Sequence, residues 1–238
     1  MTMFHVLHYD TIGSTNDEIR RLAAEGAAHG TVVHADEQKS GRGRLARTWF
    51  SPPGNLYMSV LLRMDVPLAR CAELSFVAAV AVADAVAQLL PKQAEIVVKW
   101  PNDVLVGGGK IAGILLEQNE GMVVVGIGLN VLIAPSTAGY KTATIAGSGG
   151  IASVDGARDL LLAALERHLE TWQAEGFAPI REAWLARTYP IGAKLRVGVQ
   201  GRTVDGAFAG MDLDGALLLD TPEGQRRIVA GDVAAAGS

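Results

Sequence analysis

Four short stretches hold the side chains best suited to chemistry. Residues 40–53 read SGRGRLARTWFSPP. Arg42, Arg44 and Arg47 are planar forks that match phosphate and carboxylate oxygens. Gly41 and Gly43 let the backbone approach a ligand closely. Trp49 can stack on a base or cap an apolar pocket. Arginine–glycine pairs also describe a solvated flexible loop, but this one lies between two strand patterns in a globular context. Residues 99–103 read KWPND and residues 107–110 read GGGK. Alternation puts Lys110 on one strand face with Ala112, Ile114 and Leu116. An ammonium there is unusual unless an anion meets it. Taken alone, Lys110 is a strand-end lysine snorkelling to solvent, and Asn102-Asp103 an Asx turn after proline.

Residues 126–130 read GIGLN. Two glycines in a strand admit close approach of a ligand or another backbone. No helix opens after them, so this is not a dinucleotide fingerprint. Residues 13–16 read GSTN, and Thr15 with Glu18 forms a T-x-x-E capping box that accounts for Thr15 without a ligand. The five histidines are scattered and Cys71 is the single cysteine, so no His or Cys constellation stands out.

The elements that must position these residues are readable from period and turn chemistry. FHVLHYD predicts a strand, then a helix from Thr15 stopped by Gly26. TVVHADEQ and NLYMSVLLR predict strands on either side of the arginine loop, and Pro67 leads into a long Ala/Val-rich helix. EIVVKW, VLV, KIAGILLEQ and MVVVGIGLNV predict four strands paired antiparallel, with turns at the glycines and at NEG. Residues 135–150 predict a loop. Helices are predicted over Asp155–Ala174 and Phe177–Thr188. From Tyr189 the texture changes to KLRVGVQ, RTVDGAFAGMD, GALLLDT and RRIVAGDV, short strands split by Gly and Asp turns that predict a small all-β barrel. A core that small is marginal alone and is expected to pack on the main domain.

The chain has 238 residues, 49% hydrophobic and 19% charged, with a formal net charge of -4. It is long enough for a sizeable core and too apolar for global disorder. A net acidic chain lacks the broad basic surface that general nucleic-acid binding needs. One cysteine fits a reducing compartment. No signal peptide pattern opens the chain. Glu73, Asp84 and Gln88 interrupt the apolar run Cys71 to Leu90, which reads as a buried helix rather than a membrane span. A cytoplasmic protein is expected.

The order STN, GRGRxxRxW, KWPND, GKIAGIL and GIGxNV, from about Tyr9 to Val131, resembles the biotin–protein ligase family, the biotin–acetyl-CoA-carboxylase ligases. The segment after Tyr189, with Gly231-Asp232-Val233, resembles the family's C-terminal domain. The resemblance implies an α+β fold: a mixed sheet with flanking helices, like class II aminoacyl-tRNA synthetases, over residues 1–188, and an SH3-like unit over residues 189–238. It implies an ATP-dependent ligase that activates biotin as biotinyl-5'-AMP and transfers it to a lysine of a biotin carboxyl carrier domain. Because the chain begins almost at the catalytic domain, the form without the DNA-binding domain is expected. Partners would then be the carrier domain, with no DNA or membrane. Family members often dimerise through the sheet.

Carried over by motif, Ser14, Thr15, Asn16, Gln38, Gly41, Arg42, Lys110 and Gly113 would bind biotin. Arg42, Arg44, Arg47, Trp49, Asn102, Lys110 and Asn130 would bind ATP and the adenylate, with Trp49 and Asn130 at the adenine. Lys110, Arg44 and Lys99 would act in catalysis, and Asp103 would link to Mg2+. The loop departs from the family's GRGRxGR at Ala46, and the tail after Asp232 carries no basic residue, so no phosphate contact is assigned to it. Three rivals remain: a lipoate or octanoate transfer enzyme of the same fold, a non-catalytic biotin or nucleotide sensor, and an RNA-binding module. GRGR together with KWPND argues against the first, Lys110, Arg44 and Asp103 against the second, and the net charge against the third.

Overall fold

Leu56 to Leu62 are all buried, on both faces of one strand. Leu56, Met58, Val60 and Leu62 join the larger apolar core, and Leu61 joins a smaller one. A strand buried on both sides belongs inside a sheet covered by helices on either face. A computed structural model, which describes residues 3–64, 66–119, 121–135, 139–199 and 201–235, has that arrangement. The predicted NEG turn, the loop from Pro135, the end of KLRVGVQ and the C-terminal tail each include residues outside the described set.

In chain order the elements are β1 (His5–Ile12), α1 (Thr15–Ala24), β2 (Thr31–Gln38), β3 (Leu56–Arg63), α2 (Leu68–Cys71), α3 (Glu73–Leu89), β4 (Ile96–Lys99), β5 (Asp103–Val106), β6 (Gly109–Asn119), β7 (Met122–Leu129), α4 (Val154–Glu175), α5 (Phe177–Leu185), β8 (Lys194–Val199), β9 (Arg202–Met211), β10 (Leu217–Thr221), β11 (Gly224–Ile228) and β12 (Asp232–Ala235). The strands β1 to β7 form one mixed sheet in the order β1-β2-β3-β7-β6-β5-β4. β1 and β2 pair parallel. The other neighbours are antiparallel, including the four runs predicted to pair that way.

Helix α1 covers one face, with Ile19 and Ala23 against Val33, Leu61 and Val124. On the other face α3 lies between the sheet and helices α4 and α5. That position explains its composition, because a helix packed on several sides is apolar all round. Among the described residues no helix is long and apolar enough to cross a membrane.

Strands β8 to β12 form a second, antiparallel sheet in the order β11-β10-β9-β8-β12. RRIVAGDV is not one strand: its first half ends β11, and the chain turns so that Asp232 opens β12 at the opposite edge. The second sheet meets the first unit at Gly215, which lies against the Phe76 ring of α3, itself packed edge-on on Trp184 of α5 at 5.9 Å. Trp100 Nε1 donates to the Gly215 carbonyl at 3.0 Å. Gly215 has φ 90°, and a side chain there would run into Phe76. The boundary drawn at 188/189 falls between α5 and β8.

Two local expectations fail for identifiable reasons. Ser14, not Thr15, is the N-cap of α1, and no side chain caps the helix. Glu18 cannot close a capping box because its carboxylate accepts from the Tyr9 hydroxyl at 2.9 Å and from Arg21. In β6 the register places Ala112 opposite Val104 but Lys110 opposite Leu105. Ile111 is therefore a bulge, and a bulge re-aims the side chains before it. Ala112 and Ile114 pack in the core with Leu116 against it, while Lys110 turns to the opposite face with Gly113.

Candidate active site

The sheet face that carries α1, the arginine loop and the edge of the second sheet enclose a cavity of about 850 Å³. One end is uncharged and tightly wired. Gln38 Oε1 accepts from Thr15 N at 2.9 Å and Thr15 Oγ1 at 3.1 Å, while its Nε2 donates to Ser51 Oγ at 3.0 Å. The buried Ser59 hydroxyl donates to Asn16 Oδ1 at 2.5 Å and lies 2.7 Å from Thr15 Oγ1. Asn16 Nδ2 donates to Glu117 Oε2 at 3.0 Å. Thr15, Asn16 and Gln38 therefore hold one another in place. The groups left for a ligand are the second amide hydrogen of Gln38 and the Ser14 hydroxyl, which no described residue takes up.

The strand glycines make room for this wiring. A side chain at Gly126 would occupy the Asn16 amide, and one at Gly128 would occupy the Trp49 indole. Trp49 thus lies flat in a slot over Gly128 and Gly113. Its buried Nε1 has no hydrogen-bond partner among the described residues, a donor that a ligand acceptor can satisfy.

The other end is charged. Asp103 holds Lys110 Nζ on Oδ1 at 2.6 Å and Lys99 Nζ on Oδ2 at 3.1 Å. Lys110 also lies 5.2 Å from the Trp49 ring and 5.7 Å from that of Tyr140. Lys99 donates to Val233 O at 3.0 Å, so the second sheet helps to fix it. Arg44 reaches Asn102 Oδ1 and Gly231 O, both at 3.2 Å, and Arg47 pairs with Asp232 at 2.6 Å. Lysines and arginines outnumber the carboxylates that hold them, which suits a polyanionic ligand.

The arginine loop closes on the cavity through Arg42, which grips Asp17 of α1 with two bonds of 2.6 Å. The Arg42 guanidinium holds the Asp17 carboxyl well below the usual range, at about 2. Leu45 and Ala46 take φ of 54° and 56°, the left-handed region. Ala46, the departure from the family loop, sits in a conformation that glycine adopts without cost.

Of the residues singled out from sequence, Ser14, Thr15, Asn16, Gln38, Arg42, Arg44, Arg47, Trp49, Lys99, Asn102, Asp103, Lys110 and Gly113 line the cavity. Gly41 and Asn130 do not. Gly41 is packed against Ser51 and the Trp49 carbonyl. Asn130 donates to Lys110 O at 3.3 Å and Ala143 O at 3.1 Å, so its amide braces the wall from behind. Glu117, Ser59, Tyr140, Tyr189 and Asp232 were given no site role from sequence, and they complete the site or its supports. Burial raises the phenol pKa of Tyr189.

The donors around Asp103 do not fit a Mg2+ site built by the protein. Mg2+ prefers an octahedron of oxygens, and here each carboxylate oxygen already faces an ammonium.

A seven-stranded mixed sheet, a cavity polar at one end and cationic at the other, and an arginine lid define a small-molecule-activating enzyme of the acyl-ligase class. Residues 10–133 match the biotin/lipoate A/B protein ligase family and residues 194–234 match the biotin protein ligase C-terminal domain, and the chain belongs to that family. It is 40% identical to a biotin–[acetyl-CoA-carboxylase] ligase of Paracoccus denitrificans, over 92% of this chain and 96% of that one. It is 35% identical to the bifunctional ligase/repressor BirA of Bacillus subtilis, over 96% of this chain and 73% of that protein. Its fold superposes with a TM-score of 0.83 on the biotin protein ligase from Aquifex aeolicus solved with biotin and ATP, at 26% identity and 97% coverage of both chains.

Proposed function

We propose that this chain activates biotin with ATP to biotinyl-5'-AMP and transfers the biotinyl group to a lysine of a biotin carboxyl carrier domain. The observation that carries the reading is one cavity with a pre-wired neutral end and a cationic end joined at Lys110. A ureido ring needs hydrogen-bond partners without net charge, and the Ser14 hydroxyl and Gln38 amide supply them. The biotin carboxylate would then point at Lys110, and the nucleotide phosphates at Arg44, Arg47 and Lys99.

In the first step the carboxylate oxygen attacks the α-phosphorus and pyrophosphate leaves. An anion approaching a phosphate is repelled, and Lys110 lowers that repulsion while the arginines take up charge on the leaving group. Trp49 provides the surface for the adenine. In the second step an acceptor lysine attacks the acyl carbon and AMP leaves. Mg2+ enters this reading only as the counter-ion that accompanies the triphosphate. The same reading puts the chain in the cytoplasm with no DNA or membrane partner, and includes a homodimer paired through the sheet, which sedimentation would report.

The test is incubation of the chain with ATP, Mg2+, biotin and a carrier domain, with lipoate in a parallel tube. Label on one carrier lysine from biotin alone is expected. Transfer of lipoate in place of biotin would move the assignment to the other branch of the family.

A further inference from the structure

The sequence holds the pattern His-x-Asp twice, as His8-Tyr9-Asp10 and His34-Ala35-Asp36, and β1 and β2 bring the two copies side by side. The parallel register sets His8 against His34, Tyr9 against Ala35 and Thr11 against Glu37, so residues 10 and 36 are also neighbours. Alternation puts both histidines and both aspartates on one sheet face. Tyr9 points to the other face, where it bonds Glu18 of α1. None of the four lines the cavity.

From this geometry we infer that His8, Asp10 and Asp36 form a binding site for one divalent transition-metal ion of the Zn2+ type, separate from the catalytic cavity. The ligand atoms of these three residues lie within 4.8 Å of one another. Two carboxylates directly across neighbouring strands repel each other. His8 answers one of them, with Nε2 at 2.9 Å from Asp36 Oδ1. Asp10 has no hydrogen bond or ion pair among the described residues. The guanidinium that reaches this face from α4 is not free to compensate: Arg158 is held by Asp155 at 2.6 Å and Asp159 at 2.8 Å.

His34 packs beside this group but is not one of the three ligands. It is 1% exposed, its ring lies 5.1 Å from that of His8, and its Nε2 has no partner among the described residues. Its Nδ1 faces Arg158 at 3.4 Å. One imidazole nitrogen and two carboxylate oxygens suit Zn2+ or Co2+ with water in an open position. They are too few oxygens for Ca2+. Binding replaces the His8–Asp36 pair, so His8 Nε2 must give up its proton to coordinate.

The test uses the full chain without a histidine tag. Zn2+ is titrated by calorimetry and Co2+ by visible absorption, in the parent chain and in His8→Ala, Asp10→Asn, Asp36→Asn and His5→Ala. One equivalent is expected to bind, with affinity at least tenfold weaker in the first three variants and unchanged in His5→Ala. Carrier biotinylation by His8→Ala should match the parent. If one variant fails to fold, as judged by circular dichroism, the other two carry the comparison. No saturable binding, or binding that survives His8→Ala, would overturn the inference and leave an ordinary histidine–aspartate pair.

Discussion

Replacing Lys110 by methionine keeps the stem and deletes the charge, which separates the two things this lysine does. The ammonium lies 2.6 Å from Asp103, and both side chains are largely buried, at 18% and 11% exposure. Removing one partner of a fully buried pair costs about 3–5 kcal/mol. Here Lys99 stays 3.1 Å from the other oxygen of Asp103, so the carboxylate keeps a cation and the loss should be nearer about 1–2 kcal/mol. For a chain of this size that is a fall in Tm of about 2–8 °C. The chemical step should suffer more, because removing a group aimed at the charge that develops in the transition state costs about 2.7–4 kcal/mol, or about 10²–10³ in rate. The assay is biotin-dependent ATP–pyrophosphate exchange at a temperature where the variant is folded. A fall of at least 100-fold, mainly in kcat, is expected. Exchange within fivefold of the parent would refute the role of Lys110, and a change confined to KM would mean that it binds the ground state and the transition state equally.

Other consequences are as specific. Ala46→Gly should relieve a left-handed alanine, which costs about 1–2 kcal/mol, so limited proteolysis of the 41–49 loop in the presence of biotin and ATP should slow; faster cleavage would show that the closed loop is not strained there. Gly126→Ala forces a methyl group into the Asn16 amide, which Ser59 and Glu117 hold still. Overpacking of this kind costs about 1–3 kcal/mol, and an unchanged urea midpoint would contradict it. Burial pushes the Tyr57 phenol up to about 12. From about pH 10, where a free tyrosine titrates, up to that value the unfolded chain releases a proton that the folded chain keeps, so stability falls as pH rises. Tyr57→Phe should remove that part of the alkaline slope, measured by urea unfolding at successive pH values, and an identical slope would count against it.

Local turn chemistry and period were enough to foresee the four-strand antiparallel run and the appended β unit, whereas the mixed sheet was foreseen only through the family resemblance that the order of motifs carries. What escaped depends on contacts across the chain. The bulge at Ile111 is invisible in GKIAGIL, where Lys-Ile-Ala-Gly-Ile satisfies a regular strand equally well. It takes the pairing with β5 to show that Lys110 leaves the core face. The capping box failed because Tyr9, nine residues earlier, competes for Glu18. Glu117 reads as an ordinary strand-end acid, yet it fixes Asn16 from 101 residues away. Asp232 and Tyr140 reach the cavity only because the second sheet and the loop after β7 fold back onto it. The histidines looked scattered in the sequence, and the parallel pairing of β1 with β2 is what brings two of them together.

The central claim is that this one cavity joins biotin to AMP before any acceptor arrives. The most direct measurement is mass spectrometry of what stays bound after the chain is incubated with biotin, ATP, Mg2+ and pyrophosphatase but no carrier domain. Biotinyl-5'-AMP retained at close to one equivalent per chain, absent when biotin is omitted and strongly reduced in Lys110→Met, is the expected result. Recovery of unreacted biotin and ATP alone, from a chain that binds both, would contradict it.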